Sequence, residues 1–172
     1  KNHRMIETQR LTIDYKADYK YVKNQIESEN NVRLAIILAK VDNYLSYSVP
    51  AEVHESWARA TKFQFQIKWE NAYRNEFLNY GDKFRIVDRL QIENNLEEMK
   101  LSNSGIISEK NSIDLGKMVG ATHILYGHLS RQQESLPNNF EQYIDYVFTR
   151  LIDIENGTVV ASIVDAHATK LY

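Results

Sequence analysis

The sequence predicts an α/β fold: a single domain with a mixed sheet of about four to five strands, three main helices of which one is long, and a C-terminal antiparallel hairpin. Three observations carry this. Val32 to Val41 is apolar at successive positions, the pattern of a central strand covered on both faces. Phe84 to Leu129 reads as strand, helix, loop, helix, strand, with a start or stop signal at nearly every boundary. Asn156-Gly157 separates two strand-like runs, a strong two-residue hairpin signal.

Residues 1–30 are polar and weakly patterned and are set apart as an N-terminal arm, with residues 31–172 as the α/β domain. Two readings of the arm stand side by side. In one it is loosely attached; in the other Met5 to Tyr15 is a strand and Lys16 to Ser28 a helix with Tyr19, Val22 and Ile26 on one face. After the central strand, Asp42 to Val49 reads as a loop holding Tyr44 and Tyr47. Pro50 to Tyr80 then reads as one long helix, with Pro50 in its first turn, Glu52 and Glu55 at the positive end of its dipole, and Gly81 as its stop. Its aromatic residues, Trp57, Phe63, Phe65, Trp69, Tyr73 and Phe77, have two readings, core packing or a partner surface.

Phe84 to Asp88 is a short strand, and Asp88 is placed to cap the next helix, with Gln91 as a capping-box partner. Ile92, Leu96 and Met99 share one face of that helix. A second helix starts near Ser108 or Asn111 and ends at Gly120, and Gly116 and Gly120 would let it lie close to a sheet. Ala121 to Ser130 is a strand, Arg131 to Glu141 a polar loop around Pro137, Tyr143 to Ile154 a strand, and Thr158 to Ala168 its hairpin partner. No repeat and no internal linker is visible.

Composition narrows function. The 172 residues are 43% hydrophobic and 26% charged, as in a globular protein. A net charge of −2 and no run of five basic residues give no electrostatic case for nucleic acid. Without cysteine there is no disulfide, thiolate nucleophile or thiolate metal site. No apolar run reaches the roughly 18–20 residues of a membrane-spanning helix. The chain starts at Lys1, so a processed or trimmed product is expected, with any signal peptide or lipid-bearing cysteine upstream of Lys1.

Searching for chemistry returns little. His123 and His128 are five apart on a predicted strand and face opposite sides, and no HExxH or HxH pair exists, so surface or half-buried histidines are expected rather than a metal site. No GxSxG elbow, GxGxxG or GxxxxGK[ST] loop is present. Asp88, Asp153 and Asp165 stand at strand ends, where α/β proteins place functional acids, yet Asp88 suffices as a cap and Asp153 lies beside a turn. No catalytic, cofactor-binding or metal-ligating residue is assigned, and no cofactor is expected.

Ile86-Val87-Asp88-Arg89, Leu96-Glu97-Glu98, Ser104-Gly105, Leu115-Gly116-Lys117, Gly120-Ala121-Thr122 and Tyr126-Gly127 together resemble the curli-secretion lipoprotein (CsgG-like) family. The hairpin Leu151 to Val160 is similar to that family's closing strands. The resemblance implies a bacterial envelope protein on the periplasmic side of the outer membrane, held to the membrane only by a lipid anchor. It implies a protein that acts by binding another envelope protein and is not an enzyme. Within the family, one branch forms secretion channels and another, LpoB-like, activates a penicillin-binding protein in peptidoglycan synthesis. The polar segment Arg131 to Glu141 offers no place for long membrane hairpins, so the LpoB-like branch fits best. The alternative is an oligomeric component of an outer-membrane assembly or secretion apparatus, which allows a homo-oligomer. A small α/β enzyme or nucleotide binder rests only on the acids at strand ends. Tyr44, Tyr47 and an exposed Trp69 are the expected partner contacts.

Overall fold

A computed structural model describes residues 15–44, 66–79, 83–99, 108–135 and 141–171, with the single residues Glu52 and Pro137. Five strands form one mixed sheet in the order β2-β1-β3-β4-β5: β1 is Val32–Tyr44, β2 Phe84–Ile86, β3 His123–Ser135, β4 Glu141–Asp153 and β5 Thr158–Leu171. Helix α1 (Tyr15–Ile26), a π-helical turn (Gln66–Glu70) and α2 (Asn71–Leu78) carry the residues of one face; α3 (Arg89–Glu98) and α4 (Glu109–Met118) cover the other. The predicted mixed sheet, its helical layers and its closing antiparallel pair are the observed architecture.

The central position of β1 follows from its doubly apolar pattern. Leu34 and Ile36 enter one core with Tyr19, Val22 and Ile26 of α1 and with Trp69, Tyr73 and Phe77. Ala35 and Ile37 enter the second core with Ile92, Leu115 and Ile124. So the helical reading of Lys16 to Ser28 is the one observed, and its apolar face is docked on the sheet. The strand expected at Met5 to Tyr15 falls on residues 1–14, outside the described residues, and Tyr15 itself opens α1.

Strand and helix ends differ from expectation, most at three places. β1 runs on to Tyr44 with a bulge between Leu38 and Lys40, because parallel pairing with β3 continues to Gln132 and overrides the polar loop composition. Arg131 to Ser135 is strand and not loop, each residue being paired with β4 from Asp145 to Glu141. Arg131 is anchored there by a bidentate contact to Asp145, Nε to Oδ1 at 2.7 Å and Nη2 to Oδ2 at 2.9 Å. The expected long helix from Pro50 to Tyr80 is observed, where described, as helical Glu52 and then a π-helical turn leading into α2, which ends at Leu78. Its proposed stop, Gly81, lies outside the described residues.

The caps and glycines explain the second helical layer. Asp88 Oδ1 accepts from Leu90 N at 2.7 Å and Ser108 Oγ accepts from Asn111 N at 3.1 Å, each satisfying an orphan donor of a helix start. The capping box with Gln91 does not form, because the Gln91 side-chain Oε1 accepts from Arg33 Nη2 at 3.2 Å, tying α3 to β1. Gly116 makes the close approach expected of it: a Cβ there would lie 2.5 Å from Ile154 Cδ1 and 2.7 Å from Ile124 Cδ1. Gly120 instead serves by its φ of +67°, which ends α4, and a Cβ there would meet nothing within 4 Å. Gly116→Ala should therefore cost about 1–3 kcal/mol through overpacking, despite alanine's better helix propensity. Chemical denaturation would show this as a lower midpoint with unchanged slope.

Candidate functional site

The expected contact residues separate. Trp69, on the π-helical turn, is fully buried. Its ring lies against Gly127 so closely that a Cβ there would be 2.7 Å from the indole, and its Nε1 donates to Thr149 Oγ1 at 3.0 Å across the β3–β4 pair. Tyr73 and Phe77 follow at four-residue spacing and are buried too, with Trp69 and Tyr73 rings 5.3 Å apart. The expectation of an exposed Trp69 is corrected: the stripe Trp69, Tyr73, Phe77 is the face this helical segment turns to the sheet, so these aromatics are core. Tyr44 is the last residue of β1, paired with Gln132 of β3. Tyr47 lies outside the described residues.

Beside Trp69 sits a buried carboxylate. Glu70 is 4% exposed, with its Oε1 3.3 Å from Arg74 Nε and 3.7 Å from Arg89 Nε. Arg74 Nη1 also donates to the Val87 carbonyl at 3.0 Å, and Arg89 Nε reaches Glu93 Oε1 at 3.1 Å. This group fastens the π-helical turn to the junction of β2 and α3. Burial pushes the Glu70 carboxyl up, and the two guanidinium groups only partly offset it. The folded protein thus binds this proton more tightly than the unfolded chain. Stability from this group is greatest below the unfolded value and declines as pH rises through the raised folded value. Glu70→Gln should remove that decline, so the stability gap between variant and wild type should move in the variant's favour from acid to neutral pH. Thermal unfolding across that pH range would measure it.

The acids expected at strand ends do not converge, and Asp165 lies mid-strand in β5 because that strand runs on to Leu171. Asp88 caps α3 at the β2 edge, whereas Asp165 lies on β5 at the opposite edge of the sheet. Asp153 closes the hairpin turn, accepting from Glu155 N at 2.8 Å, Asn156 N at 3.2 Å and Asn156 Nδ2 at 3.1 Å. Burial pushes its carboxyl up, but these bonds and the nearby His123 outweigh it, leaving it below the usual carboxylate range. His123 is buried rather than half-exposed, with Nδ1 3.0 Å from Thr122 Oγ1 and Nε2 3.3 Å from Glu29 Oε2, an ion pair only when the imidazole is protonated. Among the described residues no group of three histidines or acids is arranged to hold a metal ion.

What the sequence reading missed lies on the α4 side of the sheet, beyond the end of that helix. Arg150 Nη1 donates to Glu109 Oε2 at 2.8 Å at the start of α4. The next cross-strand row is His128, Phe148 and Val164, and the one after it Ser130, Tyr146 and Ala166. His128 stacks on Phe148 with ring centres 5.3 Å apart, and Tyr146 stands 6.5 Å from Phe148 at a similar tilt. These rings are half-buried, and Val164 beside them is 59% exposed. The alternation Tyr146, Phe148 on β4 was readable, but its neighbours require the β3–β4–β5 register. Stacked, half-buried rings beside an exposed valine form an apolar patch on this face of the sheet.

Comparison with known proteins agrees with this architecture. A family described as "Peptidoglycan-synthase activator LpoB" matches residues 67–162. The LpoB C-terminal domain from Salmonella enterica is similar at a TM-score of 0.51 with 17% identity, over 89% of this chain and 97% of that one. The corresponding domain from Escherichia coli is similar at 0.51 with 17% identity, over 91% and 99%. Lipoprotein GNA1162 from Neisseria meningitidis is similar at 0.50 with 10% identity, over 81% and 83%. At such identities these structures speak to fold alone. No curated protein sequence matches the chain. The resemblance is supported at its LpoB branch and gains no support here for the wider curli-secretion grouping. The family match spans more than half of the 172 residues, its matched part running from the π-helical turn into the first residues of β5, and the chain belongs to the LpoB family.

Proposed function

We propose that this chain is an activator domain that binds a peptidoglycan synthase, a bifunctional penicillin-binding protein, and raises its activity without catalysing a reaction itself. The observation that carries the reading is the match of residues 67–162 to a family described as synthase activators. An activator's chemistry is surface complementarity, which accords with acids used as caps and a half-buried ring ladder. Placement on the periplasmic side of the outer membrane, through a lipid anchor upstream of Lys1, belongs to the same reading. Among the described residues no helix is long and apolar enough to cross a membrane. The division into an arm, residues 1–30, and a domain, residues 31–172, is kept with one qualification: α1 of the arm is packed into the domain core.

We assign the contact surface to the ladder of His128, Phe148 and Tyr146, with Tyr44 and Tyr47 as further contacts. Trp69 supports the same strands from the opposite face. Binding to an immobilised synthase ectodomain tests this: saturable binding is expected, and absence of binding at high micromolar concentration contradicts it.

A further inference from the structure

The sheet ends at β5, and among the described residues no strand lies along its outer side. At 14 residues this edge is long, about 46 Å at ~3.3 Å per residue. Edges of this kind are usually blunted by proline, several lysines or a bulge. β5 has no proline, its only charged residues are Asp165 and Lys170, and its one bulge, at Val160, lies near its start. From Ala161 to Leu171 the register with β4 is unbroken. We propose that this run is a self-association surface, pairing antiparallel with β5 of a second copy about a twofold axis through Ala166.

Symmetry and charge select the register. A twofold axis perpendicular to the sheet places each residue opposite the one equally distant from the axis on the other copy, and side-chain alternation requires the axis to pass through a residue. An axis through Asp165 would set two carboxylates directly opposite each other, which is destabilising. Moved to Ala166, the axis sets Asp165 opposite His167 of the second copy, and does so twice. Ala166 is also the midpoint of the run 161–171, so every residue of the regular edge is paired. The centre is occupied by alanine, and Val164, 59% exposed in the single chain, comes opposite Ala168 of the second copy. The product is one continuous ten-stranded sheet, at the upper end of the size that open twisted sheets commonly reach. This association needs no other protein, and its seam borders the ring ladder at Val164.

Sedimentation equilibrium of the chain alone, from micromolar to millimolar concentration, tests it. A monomer–dimer equilibrium is expected. His167→Asp, creating two like-charge pairs per dimer, should weaken it about tenfold, and Asp165→Lys combined with His167→Asp should restore it. Circular dichroism of each variant separates loss of dimer from loss of fold. Independently of any variant, dilution should release amide-exchange protection at alternate residues of 161–171. A chain that stays monomeric at millimolar concentration, or a dimer that His167→Asp leaves intact, overturns the proposal.

Discussion

Trp69→Ala should cost about 3–5 kcal/mol, the range for emptying a large buried aromatic site. Three features set the size. The ring is fully buried, it fills the space left by Gly127, and its N–H bonds Thr149 across the sheet. For a domain whose whole stability is of order 5–15 kcal/mol, the loss takes a large share, and the melting temperature should fall by roughly 10 °C. Thr149→Val isolates the polar part: it keeps the volume but strands a buried N–H, at about 1–3 kcal/mol. Gly127→Ala attacks the same contact from the strand side. Were Trp69 a solvent-facing partner contact, as the helix pattern allowed, Trp69→Ala would leave the melting temperature nearly unchanged. Differential scanning calorimetry of the three variants decides.

Phe148→Ala should behave in the opposite way. Its ring is half-buried in a stack with His128 and Tyr146, so truncation removes less core packing than at Trp69. As a central anchor of the proposed docking face it should cost about 2 kcal/mol or more of binding, at least tenfold in affinity for the synthase. Tyr146→Ala should weaken binding in the same direction. Leu90→Ala, at a 63% exposed site on α3, is the control expected to leave affinity unchanged. Binding isotherms beside thermal melts separate the two classes: Trp69→Ala loses fold, Phe148→Ala loses partner.

The parts of the fold governed by local chemistry were legible in the sequence. β1 announced itself by apolar residues on both faces, α3 and α4 by Asp88 and Ser108, the hairpin by Asn156-Gly157, and the close approach of α4 by Gly116. What failed depended on pairings far apart in the chain. Gln91 looked like a capping-box partner until Arg33, 58 residues away, claimed it. Arg131 to Ser135 read as loop because its polar character is answered only by β4, with Arg131 opposite Asp145. A helix bearing aromatics at many positions did not reveal which stripe faced the sheet, so Trp69 could be read either way. The ring ladder was hidden for the same reason: Phe148 meets His128 only once the antiparallel register of β3 and β4 is known. The acids illustrate the converse. Asp88 and Asp165 both read as strand-end acids, but Asp165 lies mid-strand in β5 and sheet order puts the two at opposite edges, which no reading of spacing alone would have separated.

The most direct test of the account is glycan-strand polymerisation by a purified bifunctional peptidoglycan synthase, followed with and without this chain. The account predicts a saturable rise in rate that the Phe148→Ala protein fails to produce at the same concentration while remaining folded. A synthase rate unchanged by saturating wild-type chain, or raised equally by wild type and Phe148→Ala, would contradict it.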